Sequence, residues 1–220
     1  MRYGRDSMAP RVHPYLDAAR LPEPSAPGER VDVRTLVGPP GARIEIEVGP
    51  GRGGFAFERL ASAPEVALVG LEIRLKWAKI VDDRLRAQGL GGRARVFAGD
   101  ARAALATLGP DASVSAVFVH FPDPWWKKRH HKRLVMSPEL LDEVARLLAP
   151  GGELYVQTDV EERALAYVEQ VIAHPAFEPH GDEPGDAHLA DNPYGARSPR
   201  EHRSIADGLP VSRLRFRRRA

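Results

Sequence analysis

The sequence contains no cysteine in 220 residues. That excludes disulfides, thiolate nucleophiles and thiolate-ligated metals, and a chain of this length buries a full core without such staples. No apolar run approaches the ~20 residues of a membrane span. The N-terminus also lacks a charged-then-apolar leader. A soluble, cytoplasmic protein with no membrane association is the expectation. Internal repeats are absent, and so is a strong charge of one sign, the net charge being +2. The isoelectric point near 9.0, with basic residues clustered rather than scattered, says more about partners.

What is present suits one compact α/β domain with an extension, at 43% hydrophobic and 28% charged residues. Residues 1–40 carry seven prolines and little periodicity, and read as an arm with little regular structure. Residues 41–220 read as the working domain. Arg43–Val48 is a short β-branched strand, and Gly53–Ser62 opens a helix. Glu65–Leu71 is a second strand, followed by an amphipathic helix over Leu75–Gln88 anchored by Leu75, Ala78, Ile80 and Leu85. A third strand spans Ala94–Ala98, a short helix Arg102–Leu108 and a fourth strand Val114–Phe121. Ser137 caps a helix that runs to Leu148 with Pro138 at its first position. Gly151-Gly152 stops it before a fifth strand, Glu153–Thr158, and a helix, Glu161–Ala173. Strands alternating with helices imply a parallel sheet with helices on both faces. The tail Val211–Arg217 alternates as a half-exposed edge strand would. Residues 178–203 read as a long loop, a length that goes with function or disorder.

Glu47-Val48-Gly49-Pro50-Gly51-Arg52-Gly53-Gly54 joins the first strand to the first helix. Gly49 and Gly51 let backbone approach a ligand, and the helix start offers free N–H groups. Gly49, Gly51 and Gly54 also satisfy G-x-G-x-x-G, with Glu72 lying 18 residues beyond Gly54. On the turn alone, a nicotinamide dehydrogenase and an ordinary tight turn both stay open. The acids shift the balance toward S-adenosyl-L-methionine. Glu47, two residues before the first glycine, suits an ammonium and repels a pyrophosphate. Glu72 suits ribose hydroxyls, and Asp100, after the third strand, suits the adenine amino group. Glu45 shares a face with Glu47 and reads as a solvated edge residue.

The fourth strand ends in Phe121-Pro122-Asp123-Pro124-Trp125, where two prolines stiffen the backbone around one carboxylate. Trp125 and Trp126 are candidate stacking platforms. From Lys127 to Arg133 the chain reads Lys-Lys-Arg-His-His-Lys-Arg, a polyanion-binding composition in which Lys128, Arg129, Lys132 and Arg133 are the phosphate candidates. A solvated charged face is the plainer reading. Position at the carboxyl end of a sheet strand favours substrate binding. His130 and His131 have no carboxylate at ligand spacing, so no metal is expected.

Glu47-Val48-Gly49, Gly70-Leu71-Glu72, Gly99-Asp100-Ala101, Phe121–Trp125 with Lys127-Lys128-Arg129-His130, and Thr158-Asp159 resemble the tRNA (guanine-N7)-methyltransferases, from about residue 42 onward. The resemblance implies a Rossmann-like, doubly wound α/β fold of the class I methyltransferases, mostly parallel with an antiparallel C-terminal strand. It implies S-adenosyl-L-methionine as donor, tRNA as partner and the variable-loop guanine, position 46, as target. By it, Glu47, Glu72 and Asp100 bind the donor and Asp123 is the catalytic aspartate beside it. Lys127 and Asp159 contact the substrate. Where the family carries Thr-x-x-Glu, this chain has Ser198-Pro199-Arg200-Glu201. Ser198 and Glu201 keep the hydroxyl and carboxylate for guanine, while Pro199 stiffens the segment. No obligate protein partner is implied, and a monomer or homodimer is expected.

Overall fold

The computed structural model describes residues 14–122 and 135–220. The expectations for Asp123, Trp125, Trp126, Lys127, Lys128, Arg129, His130, His131, Lys132 and Arg133 therefore lie outside the described residues, as does the start of the arm. In chain order the strands are β1 (Val31–Asp32), β2 (Arg43–Val48), β3 (Val66–Glu72), β4 (Ala94–Ala98), β5 (Leu108–Gly109), β6 (Val114–His120), β7 (Leu148–Thr158), β8 (Phe177–Pro179) and β9 (Ser212–Arg218). The α-helices are α1 (Gly54–Ser62), α2 (Leu75–Ala87), α3 (Ala101–Thr107), α4 (Pro138–Leu147), α5 (Glu161–Ile172) and α6 (Pro199–Ala206).

The main sheet has the order β4-β3-β2-β6-β7-β9-β8. Pairing is parallel from β4 to β7 and antiparallel at β9 and β8. Of the inner strands, β3 and β6 are largely apolar because both of their faces are covered, while β2 alternates Ile with the buried Glu45 and Glu47. Phe55, Leu60, Val81 and Leu85 of α1 and α2 pack with Leu68 and Phe118 on one face. Leu105, Leu140, Val144 and Val171 of α3, α4 and α5 pack with Ile46, Val69 and Val117 on the other. The chain runs outward from β2 to β3 and β4, then returns to β6 on the other side of β2. The switch point thus falls between β2 and β6, where α/β sheets open a crevice beyond their carboxyl ends. The fold is the mostly parallel α/β arrangement that the alternation of elements implied.

Several local expectations change. Glu45 is not a solvated edge residue but is only 1% exposed. Its carboxylate takes a two-pronged contact from Arg59, at 2.9 and 2.7 Å, and Arg59 also donates to the Tyr194 carbonyl. The tail strand β9 is internal rather than an edge, because β8 pairs along its far side. The stretch 178–203 is ordered through such contacts as Leu189 to Arg213, and it ends in α6, which Ser198 caps. In α2, Val81 is the buried anchor beside Ala78 and Leu85, with Ile80 only half-buried. Ser137 and Pro138 start α4 as expected, but β7 begins at Leu148, ahead of the glycines, since Leu148 is fully buried against Val114. Residues of the arm also enter the core, with Val33 and Val37 buried.

The Glu45–Arg59 pair tethers β2, α1 and the 178–197 segment. Removing one partner of a buried pair strands a charge, at a cost of about 3–5 kcal/mol. Arg59→Leu should lower unfolding stability by about that amount in urea titrations, and Glu45→Leu/Arg59→Leu should recover much of it. A single variant within about 1 kcal/mol of wild type would contradict the tether.

Candidate active site

Beyond the carboxyl ends of β2, β3, β4, β6 and β7 lies a cleft with two lobes. One, of about 570 Å³, is lined by Gly49, Glu72, Asp100, Arg102, His120 and Pro122 among others. The second, of about 330 Å³, is lined by Glu47, Gly51, Arg74, His120, Asp159 and Ser198 among others. Gly49, Arg74, His120, Phe121 and Pro122 border both lobes.

The floor is set by the turn after β2. Gly49 has φ +71°, and a Cβ built there would meet nothing within 4 Å, so the backbone lies open to the cavity. Gly49 N–H donates to the Leu71 carbonyl at 2.9 Å, which pins the turn to β3. Glu72, 2% exposed at the end of β3, accepts from Gly51 N–H at 2.8 Å through Oε2. Its Oε1 accepts from the Arg74 backbone N–H at 2.9 Å and from the Arg74 guanidinium at 3.2 Å. A carboxylate offers about four lone-pair directions. Oε2 therefore keeps one free, while Oε1 is filled, one of its donors being the exposed Arg74 side chain.

Glu47, 1% exposed, faces His120 at the end of β6, with Glu47 Oε1 to His120 Nδ1 at 3.2 Å. A carboxylate only accepts, so Nδ1 carries the shared proton. Glu47 Oε2 and His120 Nε2 are both buried and have no partner among the described residues. Buried groups of this kind are costly unless a ligand completes them. The imidazole is held by Phe55, at 4.4 Å between ring centroids, and by Phe118. Just beyond it, Phe121 sits at φ +46°. A bulky residue in that region is strained, and such strain gathers at functional sites.

Asp100 caps α3 and accepts from the Arg102 backbone and guanidinium, the latter at 2.6 Å through Oδ2. The Arg102 hydrogen bonds hold its carboxyl below the usual carboxylate range, against the opposing effect of partial burial. Asp159, after β7, is bound by Arg200 at 2.8 and 2.5 Å. Ser198 lines the second lobe, and its hydroxyl accepts from Glu201 N–H at 3.1 Å. Glu201 is not brought to the cavity. It is 0% exposed, with its carboxylate taken by Arg213 at 2.9 Å and Asn192 at 2.9 Å. The structure thus gathers Glu47, Gly49, Gly51, Glu72, Asp100, Asp159 and Ser198 around one cleft, and keeps Glu201 behind its wall.

Sequence reasoning missed His120 and Arg200. The signal for His120 is register: Glu47 is level with Phe118, so the residue two positions on shares Glu47's face. Arg200 had no signal, since only the fold brings α6 against the end of β7.

The fold is that of the class I methyltransferases. A family described as putative methyltransferase matches residues 42–213. The chain is 33% identical over 208 residues to the tRNA (guanine-N(7)-)-methyltransferase of Synechococcus sp. (strain JA-3-3Ab), covering 94% of this chain and 84% of that one. It is 39% identical over 186 residues to that of Anaeromyxobacter dehalogenans (strain 2CP-C), covering 84% and 90%. Among solved structures, the 16S rRNA methyltransferase KamB superposes with a TM-score of 0.57 at 17% identity, over 85% of this chain and 91% of that one. The aminoglycoside resistance methyltransferase NpmB1 gives 0.52 at 20% identity, over 81% and 89%. At those identities the two structures speak for the fold alone. The chain belongs to the tRNA (guanine-N7)-methyltransferase family, and the dehydrogenase alternative left open by the glycine-rich turn falls away.

Asp100 has a pH consequence. A carboxylate whose folded pKa is depressed adds stability above its ordinary value of 3.8, and loses it as pH falls through the lower, folded value. Asp100→Asn should therefore flatten the acid side of the stability curve below about pH 4. Urea midpoints from about pH 2 to 6 measure this, and parallel curves for variant and wild type would contradict it.

Proposed function

We propose that this protein transfers the methyl group of S-adenosyl-L-methionine to N7 of the variable-loop guanine, position 46, in tRNA, as a cytoplasmic enzyme. The observation that carries the donor assignment is Glu47, which lines the second lobe and whose Oε2 is buried with no partner among the described residues. An ammonium group satisfies it, and His120 holds the other oxygen so that the carboxylate faces one way. The residues fit the rest of the donor as well. The open backbone at Gly49 gives room for close approach, the free lone pair on Glu72 Oε2 takes one ribose hydroxyl, and Oε1 takes the second once the Arg74 guanidinium swings out. Asp100 accepts from the adenine amino group at the far end of the larger lobe.

Bound S-adenosyl-L-methionine supplies an electrophilic sulfonium methyl, which the N7 lone pair takes while the carbon–sulfur bonding pair stays on sulfur. N7 is a hydrogen-bond acceptor with no proton at neutral pH, so no general base is needed to make the nucleophile. The chain's own work is positioning and exclusion of water, worth up to ~7–11 kcal/mol for oriented reactants. Methylation leaves positive charge on the purine, which nearby carboxylates stabilise. Asp123, next in the chain after the cavity-lining Pro122, and Asp159 are assigned that role, with Asp123 as the catalytic aspartate. Lys127 contacts the substrate, and Lys128, Arg129, Lys132 and Arg133 hold phosphates. Ser198 meets the guanine from α6. Glu201 reaches it only if Asn192 and Arg213 release its carboxylate, so in the resting state it braces α6. The target base leaves its stack at a cost of a few kcal/mol.

Two experiments test the reading. Glu72→Ala should weaken S-adenosyl-L-methionine binding by roughly 1.5–3 kcal/mol in calorimetry. Glu72→Gln, which still accepts from Gly51, should lose less, and unchanged affinity in both would remove the ribose assignment. For the chemistry, Asp123→Asn keeps the shape and loses the charge, so single-turnover methylation should fall by about 10²-fold or more. The wild-type rate should show no ascending limb from about pH 6 to 9. A wild-type rate rising tenfold per pH unit and flat in the variant would make Asp123 a general base and overturn this mechanism.

A further inference from the structure

Beside the acid-lined cleft lies a rim of the opposite sign. Arg52, in the turn before α1, and Lys76, at the start of α2, both lie over the ring of Trp77, at 5.2 and 5.3 Å from its centroid. Arg84, further along α2, lies over Phe57 of α1 at 4.7 Å. Its guanidinium also donates to the Arg52 carbonyl at 3.3 Å, which ties the two positions together. All three cations are exposed. None of them has an ion pair among the described residues. Of the two acids on α2, Asp83 is committed to Lys79 at 3.1 Å and Asp82 to Arg95 at 2.8 Å.

Several other arginines of this chain have a carboxylate partner, whereas the exposed Arg20, Arg86 and Arg203 have none among the described residues. Arg34 is paired with Asp32, Arg146 with Glu143, Arg200 with Asp159 and Arg219 with Glu178. Three neighbouring cations without counter-charges repel one another, and that repulsion is relieved by an anion spread over several sites. Stacking on an aromatic ring fixes a guanidinium plane while leaving its N–H edge free, which prepares it for two-pronged contact with a phosphate. From Lys76 to Arg84 the helix advances about 12 Å, enough for more than one phosphate. At its inner end the strip is continuous with the cleft, because Arg52 and Arg74 line the second lobe.

We propose that Arg52, Lys76 and Arg84, held on Trp77 and Phe57, form a second phosphate-binding surface for the substrate RNA, gripping backbone that flanks the target nucleotide. It is separate in sequence from the Lys127–Arg133 run, and it rests on the reading of tRNA as substrate. The division of labour is geometric. Acids in the cleft take the cationic donor, and aromatic-backed cations at and beyond its edge take the polyanion.

The test measures tRNA affinity against salt for wild type and for Arg52→Gln/Lys76→Gln/Arg84→Gln, with thermal melting to confirm folding. Loss of about three phosphate contacts should lower the log–log salt slope by ~2–3 and weaken binding at least tenfold at about 0.1 M salt. Lys76→Gln/Arg84→Gln, which leaves the cleft intact, should bind S-adenosyl-L-methionine with wild-type affinity. Arg52→Lys/Arg84→Lys keeps the charges but not the forks, and should keep most of the slope while losing part of the affinity. A folded triple variant with the wild-type slope, in an enzyme that binds and methylates tRNA, overturns the surface alone. A wild type that neither binds nor methylates tRNA overturns the substrate reading and the surface with it. Loss of donor affinity in Lys76→Gln/Arg84→Gln would assign these cations to the small ligand instead, and would also overturn the proposal.

Discussion

A carboxylate buried to 1% exposure at the end of the central strand constrains everything around it. Glu47 needs a partner for each oxygen, and the described residues supply only one, through His120. The parallel sheet makes this arrangement possible, because the switch between β2 and β6 leaves a crevice beside the Glu47 strand end. The aromatic clamp of Phe55 and Phe118 keeps the imidazole in place. The Glu45–Arg59 pair, two residues back on β2, fixes α1 so that the glycine turn stays open above the strand. What remains among the described residues is a pair of unmet acceptors bordering the cleft, Glu47 Oε2 and His120 Nε2, which suits a cationic donor group such as an ammonium.

Charge is then sorted by depth. Glu47, Glu72 and Asp100 stand at successive strand ends inside the cleft, and Arg52, Arg74, Lys76 and Arg84 stand at or beyond its mouth. Arg74 belongs to both sets, since its backbone N–H orders Glu72 while its guanidinium occupies the same carboxylate. The same logic appears at Asp159, which Arg200 covers from α6. Ionic contacts of this kind orient the acids, and each can be exchanged for a ligand contact of similar character.

Much of this was legible in the sequence. The strand and helix alternation fixes the sheet, and the acids Glu47, Glu72 and Asp100 are visible because each lies at or just past a strand end and within two residues of a glycine. Local patterns fail where partners come from far along the chain. Glu45 looks like a solvated edge residue because Arg59 lies 14 positions away and Tyr194 a further 135. Stretch 178–203 looks structureless because its order comes from pairing with β9 and from contacts to α1. His120 became readable only with the β2–β6 register. Glu201 shares its segment with Ser198, yet helical geometry turns it inward to Arg213 and Asn192.

The most direct test of the central claim is to locate the methyl group. Unmodified tRNA incubated with the protein and S-adenosyl-L-methionine would be digested and mapped nucleotide by nucleotide by mass spectrometry. The account predicts one new N7-methylguanosine at position 46 in the variable loop. A methyl group on another base, or on another atom of guanine, would contradict it.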